Sequence, residues 1–300
     1  MPVVTSATNP AVKAARKLAA RRGRARGDAF LVEGPQAVGE AVDRLRRLFV
    51  TPRAALRERR LVVRVARSGV DVVHVTEDVL RQIADTVTPQ GVVGVATLPP
   101  VGLADALRAA TLLIVGVGVA DPGNVGTVIR TADAAGADAV VLTTGSVDPC
   151  NPKAVRASAG SLFHLPVIGD VDFDAVVAGC RERGLSLVAA HPSARAVYTE
   201  VDLRAPTALV FGNEAHGLTR AELSACDVAA RVPMCERAGA SAESLNLAMT
   251  VAIMTYEVVR QRAVSALRQP SVSGHETRVP SGVPEGALGM PPRAFVGGGP

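Results

Sequence analysis

Residues 112–119, Leu-Leu-Ile-Val-Gly-Val-Gly-Val, constrain this chain more than any other stretch. An unbroken apolar run of that length is what a strand buried on both faces of a sheet requires. Further short apolar runs follow at 139–142, 185–190, 208–211 and 228–233, separated by stretches with helical character. A helix is expected over 125–135, another from Pro152, and a long closing helix rich in Ala, Met and Val over 245–262. Strand–helix alternation of this kind predicts an α/β fold with a parallel sheet covered on both faces.

The part before this alternation reads differently. Asn9 is placed to cap a helix that Pro10 begins, with Val12, Ala15 and Leu18 on one face and Lys13, Arg16, Lys17 and Arg21 around the rest. Strands are expected at 45–50, 72–75 and 91–98. Pro99-Pro100-Val101-Gly102 then interrupts the pattern. The expected organisation is therefore a small α/β domain over 1–102, a larger one over 103–264, and a Pro/Gly/Ser-rich tail over 265–300 that lacks periodicity and is expected to be disordered.

Charge separates the same two parts. Residues 1–60 hold 14 Lys/Arg against 5 Asp/Glu, whereas the remaining 240 hold 19 against 23. A leading segment at +9 on a body at −4 points to a polyanion, with nucleic acid first in line. Lys13, Arg16, Lys17, Arg21, Arg22, Arg24 and Arg26 are the expected phosphate contacts. With no Trp, 2 Tyr and 6 Phe, the chain does not read as a single-strand binder built on aromatic stacking platforms. The longest apolar run is too short to span a bilayer, and no apolar leader opens the sequence, so no membrane role and a cytoplasmic setting are expected. Cys150, Cys180, Cys226 and Cys235 are widely spaced, without a partner pattern for zinc, and no metal is expected.

Ligands of open α/β sheets sit beyond the carboxyl ends of strands, and three loops qualify. The first, Asp121-Pro122-Gly123-Asn124-Val125-Gly126, leads to Arg130 in the following helix; it could cradle an anion or be a plain turn. In the second, Gly212 leaves a buried strand and Glu214 is either a functional carboxylate or a helix cap; His216 reads as incidental. The third pairs Val232-Pro233-Met234 with Ser244-Leu245-Asn246, where Ser244 suits an N-cap and Asn246 places an amide in an otherwise apolar helix start. No dinucleotide or P-loop fingerprint accompanies them, which argues against a nucleotide-dependent oxidoreductase.

Together, in this order, the three loops resemble the signature motifs of the SpoU (TrmH-type) RNA ribose 2′-O-methyltransferases of the SPOUT superfamily. Asn124-x-Gly126-x-x-x-Arg130-Thr131-Ala132 resembles the first motif, Phe211-Gly212-Asn213-Glu214-x-x-Gly217-Leu218 the second, and Val232-Pro233-Met234 with Ser244-Leu245-Asn246 the third. The stretch 155–166 is similar to one found between the first two, and Asn9-Pro10, Glu33-Gly34 and Thr88-Pro89-Gln90-Gly91 resemble the substrate-binding domain attached in this family. Two departures are visible: Ala215-His216 in the second motif, and Leu247 where Val is common.

The resemblance implies a deep trefoil knot, S-adenosyl-L-methionine as cofactor and a homodimer. It implies 2′-O-methylation of RNA, ribosomal RNA first, with transfer RNA or a catalytically silent RNA-binding role as alternatives. It also implies site roles. Arg130, Asn124, Glu214, Ser244 and Asn246 would form the catalytic set, and Gly212, Val232, Met234 and Leu245 would hold the cofactor. Arg130 would grip the target phosphate and polarise the 2′-hydroxyl, reaching the site from the partner subunit's side.

Overall fold

The computed structural model describes residues 2–24, 29–235 and 244–268. Arg26 and residues 269–300 lie outside them. The first part of the chain runs α1 (Pro10–Lys17), α2 (Arg21–Arg24), β1 (Ala29–Glu33), α3 (Pro35–Glu40), β2 (Leu45–Val50), α4 (Pro52–Arg57), α5 (Arg59–Arg67), β3 (Asp71–His74), α6 (Glu77–Ile83) and β4 (Val92–Thr97). Its strands form a sheet in the order β1-β4-β2-β3. Because β4 is antiparallel to both β1 and β2, and β3 is parallel to β2, the carboxyl ends of β1, β2 and β3 share one edge with the start of β4.

The second part runs α7 (Leu103–Leu107), β5 (Leu112–Gly116), α8 (Pro122–Ala134), β6 (Ala139–Thr143), α9 (Pro152–Ala157), β7 (Val167–Val171), α10 (Phe173–Glu182), β8 (Ser186–Ala190), β9 (Ala196–Val197), β10 (Thr207–Phe211), α11 (Arg220–Ala225), β11 (Val228–Arg231) and α12 (Leu247–Arg268). Its seven strands are all parallel, in the order β7-β6-β5-β10-β8-β11-β9. Every residue of β5, β6 and β10 is buried, as the continuous apolar runs require.

Local chemistry sets the helix starts. Asn9, Asp121 and Asn151 each precede a proline, and each carboxyl or amide oxygen accepts a backbone N–H from the first turn of α1, α8 or α9. Two expectations need correction. Helix α8 begins at Pro122 rather than Val125, because the Asp-Pro pair caps it earlier. Helix α12 continues to Arg268, so residues 265–268 belong to it and not to a disordered tail.

The two sheets are packed together through α9 and the turn after it. Phe30 of β1 stacks on Phe163 with ring centroids 6.0 Å apart, and the apolar core runs continuously from Phe30 and Val32 to Val155 and Leu162. Polar ties surround this contact. Arg156 reaches Asp85 at 2.9 Å and Glu33 at 3.4 Å.

Arg24 supplies another tie, and here the structure overturns the sequence reading. Its side chain is only 6% exposed, pairs with Asp148 at 2.7 Å, and donates to the carbonyls of Leu18 and Ala19. A guanidinium so enclosed is not a phosphate contact. Removing one partner of a buried pair strands the other charge. Arg24→Ala is therefore expected to lower unfolding free energy by about 3 kcal/mol while leaving the salt dependence of polyanion binding unchanged, as urea denaturation and salt titration would show.

His164 forms a third tie. Its Nδ1 lies 2.8 Å from Asp133 of α8 and its Nε2 3.3 Å from Glu40 of α3. The hydrogen bond to Asp133 raises its pKa, burial opposes this, and Glu40 adds to the rise. A raised folded-state value means the link contributes fully below the unfolded histidine value of about 6.5. That contribution disappears as pH rises through the folded value. The stability advantage of the natural chain over His164→Asn should thus shrink on going from pH 6 upward, as paired thermal melts would show.

Candidate active site

The chain order from β5 moves outward through β6 and β7, then returns to β8, with β10 inserted beside β5. The strand order therefore reverses between β5 and β10, and the helices that follow these two strands, α8 and α11, pack into the cores on opposite faces of the sheet. Such a switch point opens a crevice.

The loops after β5 and β10 are locked to each other. Val117 N–H donates to the Phe211 carbonyl at 2.8 Å, and Asn213 Nδ2 donates to the Gly118 carbonyl at 2.7 Å. Asn213 Oδ1 in turn accepts from the amides of Ala215 and His216, so this one side chain shapes its own loop and grips the neighbouring one. Gly118 and Gly217 hold φ of +60° and +64°, where a side chain would be strained.

Glu214 is the hub. Its carboxylate accepts from Ala120 N–H at 2.9 Å, Asp121 N–H at 3.0 Å and Asn124 Nδ2 at 2.9 Å. Asn124 Oδ1 accepts from Asn246 Nδ2 at 3.1 Å, and Asn246 Oδ1 accepts from the amides of Ala248 and Met249 at the start of α12. Three segments that are far apart in sequence thus meet in one chain of hydrogen bonds. Burial pushes the Glu214 carboxyl up, but the bonds from Ala120, Asn124 and Asp121 outweigh it and hold the group below its ordinary value.

Asn246, not Ser244, closes the first turn of α12; Ser244 is exposed two residues before it. Met234 and Leu245 are each 37% exposed, and Val232 packs partly against the core. Around Gly212 there is no spare room: a Cβ there would lie 2.3 Å from the Gly217 carbonyl carbon and 2.5 Å from the Leu218 nitrogen. Both neighbours are backbone, so Gly212→Ala must push the loop out. The expected cost is about 2–3 kcal/mol, measurable by urea denaturation.

Arg130 stands apart from this cluster. With α8 beginning at Pro122, it lies roughly 12 Å along the helix axis from Pro122 and roughly 9 Å from Asn124. It is exposed and makes no hydrogen bond or ion pair among the described residues. Lys13, Arg16, Lys17, Arg21 and Arg22 are exposed, as a phosphate-contacting surface requires.

Sequence reasoning missed two residues that shape the site. Asp121 caps α8 through Asn124 N–H at 2.9 Å and pairs with Lys153 Nζ of α9 at 2.8 Å. The bond from Lys153, then that from Asn124, holds the Asp121 carboxyl below its ordinary value. The Asp-Pro helix start was a usable signal for Asp121. Nothing in the local sequence pointed to Lys153. Among the described residues no cluster of His, Cys, Asp and Glu could hold a metal, and no helix is long and apolar enough to cross a membrane.

The three loops thus meet at the switch point in one network of amide and carboxylate groups, and comparison with known proteins gives the class of such a site. The model of the SpoU rRNA Methylase family matches residues 111–256, and that of the MRM3-like substrate binding domain matches residues 9–94. The chain is 34% identical over 258 residues to the 23S rRNA (guanosine(2553)-2′-O)-methyltransferase RlmP of Bacillus subtilis, covering 86% of this chain and 99% of that protein. Among solved structures it resembles the AdoMet-bound rRNA methyltransferase from Sinorhizobium meliloti, with a TM-score of 0.77 at 32% identity, covering 86% of this chain and 97% of that one. It also resembles the SpoU methyltransferase AviRb from Streptomyces viridochromogenes, with a TM-score of 0.75 at 29% identity, covering 86% and 99% respectively. The chain belongs to the SpoU rRNA methylase family.

Proposed function

We propose that this protein transfers the methyl group of S-adenosyl-L-methionine to a ribose 2′-oxygen of ribosomal RNA. The observation that carries the reading is the chain of bonds Glu214–Asn124–Asn246, which joins all three motif segments at the switch point. Relatives named as 23S rRNA 2′-O-methyltransferases support the reaction and the RNA class, and a relative's structure solved with AdoMet supports the cofactor.

The residues present fit that cofactor. Gly212 lets the second loop fold back directly on its own Gly217–Leu218 backbone, and Val232, Met234 and Leu245 offer apolar wall without a charged group to desolvate. When bound, S-adenosyl-L-methionine supplies an electrophilic methyl. The protein's own task is to hold the ribose hydroxyl in line and to stabilise its developing charge. Glu214, Asn124 and Asn246 hold the loop geometry, and Ser244 stands at the rim to orient the ribose. Arg130 grips the target phosphate and polarises the hydroxyl; its guanidinium, with N–H donors and no acceptor, acts as a donor rather than a base.

Arg130's distance from the rest of the set is resolved by a homodimer in which a second copy supplies it. Exposed Met249, Tyr256 and Val264 on α12, at 51%, 50% and 37% exposure, give such a dimer an apolar face. In this reading the chain around β11 and α12 forms a trefoil knot, residues 103–264 are the catalytic domain, and residues 1–102 select the RNA in the cytoplasm. The test is transfer of tritium from labelled S-adenosylmethionine to undermodified ribosomal and transfer RNA, followed by primer extension at low dNTP. Label at one ribosomal RNA position is expected; label in transfer RNA alone moves the substrate class, and no label in either rejects the reaction.

A further inference from the structure

We propose that the open edge of the four-stranded sheet carries a pocket for one unpaired nucleotide of the RNA, separate from the nucleotide that is methylated. The proposal rests on the reading that RNA is the partner. A cleft of about 600 Å³ lies there, lined by Thr51, Arg53, Arg57, Glu77, Pro89 and Gln90. That volume falls within the range of small-molecule sites.

Its walls are built rather than incidental. Gly91 holds φ of +87°, and a Cβ there would lie 2.6 Å from Ala54 Cβ, so the strand entrance runs directly against the first turn of α4. Thr51 is buried, donates its N–H to the Gly91 carbonyl at 3.0 Å, and its hydroxyl caps Ala54 N–H. Arg57 is held by the Gln90 carbonyl at 2.7 Å and by Glu58 at 2.8 Å, which fixes its planar guanidinium at the cleft. Arg53 is exposed and makes no hydrogen bond or ion pair among the described residues. A fixed guanidinium plane, a free donor and the Glu77 acceptor are the groups that stack on a splayed base and read its edge.

Position supports the same use. Residues 53–67 carry six arginines and one acid, a basic surface beside the cleft that the N-terminal helix does not account for. The cleft is also tied to the active site. Asp121 pairs with Lys153 of α9, Arg156 one turn on pairs with Asp85 and Glu33, and Glu33 accepts from Thr86 Oγ1 at 2.8 Å, three residues before Pro89.

Glu77 separates a base pocket from a plain phosphate groove. The experiment measures binding of the full chain to 23S ribosomal RNA and transfer RNA transcripts by filter retention at several salt concentrations, with natural, Glu77→Gln and Arg53→Gln proteins. Thermal melts check that the exposed substitutions leave the fold intact. Both variants should weaken binding at least fivefold to the transcript that the natural protein prefers, with the slope of log affinity against log salt unchanged. Loss of a negative charge beside a phosphate would instead tighten binding, and loss of a phosphate-contacting arginine would lower the slope by about one. Unchanged or tighter binding by Glu77→Gln, or a reduced slope for Arg53→Gln, overturns the pocket, as does absence of salt-sensitive binding to either transcript. Binding with these variant effects but no methyl transfer would leave the pocket standing and reject the proposed reaction.

Discussion

Arg130→Ala should lower methyl transfer by about 10²- to 10³-fold, the usual cost of removing one preorganised donor from a developing oxyanion. Cofactor affinity should stay near that of the natural chain, because Arg130 makes no hydrogen bond or ion pair with the residues proposed to hold the cofactor. Single-turnover tritium transfer and calorimetry measure the two effects. Near-normal turnover would remove Arg130 from the mechanism. Its separation from the Glu214 cluster gives a second readout. If each site takes Arg130 from one subunit and Glu214 from the other, mixing Arg130→Ala with Glu214→Ala chains under subunit exchange restores about one quarter of the sites, since an isologous heterodimer rebuilds one intact site of its two. No restoration would mean that Arg130 serves its own chain.

Glu214→Ala should be comparably severe for a different reason. The carboxylate is taken up by Ala120 N–H, Asp121 N–H and Asn124 Nδ2, so it braces the Ala120–Asn124 turn and, through Asn124, the start of α12. Its removal orphans two backbone amides and frees both asparagines, at an expected stability cost of about 2 kcal/mol. Turnover should fall at least about 100-fold, because small displacements of a catalytic constellation are that costly. Glu214→Gln retains one acceptor oxygen and should recover part of the loss, whereas a merely space-filling role would be recovered in full. The pH dependence has a definite sign. A carboxyl held below its ordinary value contributes stability above about pH 4.3, and that contribution is lost as pH falls through the folded value. Glu214→Gln should therefore melt with a smaller acid dependence than the natural protein.

Much of this site was legible before the structure. Asn124, Gly212, Glu214 and Asn246 were all singled out from loop position and residue type, and three of the four meet in one hydrogen-bond network. The strands at 139–142 and 208–211 were readable because they are continuous apolar runs, as a strand buried on both faces requires. Strand β1 and strand β7 were not read as strands. The first carries an apolar run, Ala29–Val32, as long as the one at 208–211 and was passed over, whereas the second is largely unburied at the sheet edge and carries no pattern that periodicity could detect.

Arg24 shows where local reasoning stops. In the sequence it is one more cation in a basic run, indistinguishable from Arg21 and Arg22. Its burial depends on Asp148, 124 residues away, and on how the two sheets pack. Ser244 and Asn246 divide on similar grounds: both suit a helix cap, and the reach of Asn246 to Asn124 decided between them.

The amino-acid sequence by itself determined the fold class, the helix caps and the three loops that carry chemistry, because apolar periodicity and Asx-Pro starts act through residues close along the chain. Tertiary structure alone decided which of the candidate side chains meet. Lys153 came to Asp121, Arg24 was withdrawn into an ion pair, and Arg130 was left exposed on α8, apart from the set it was expected to join. Contacts of that kind depend on strand order and helix register, which bring together residues with no local sequence relation.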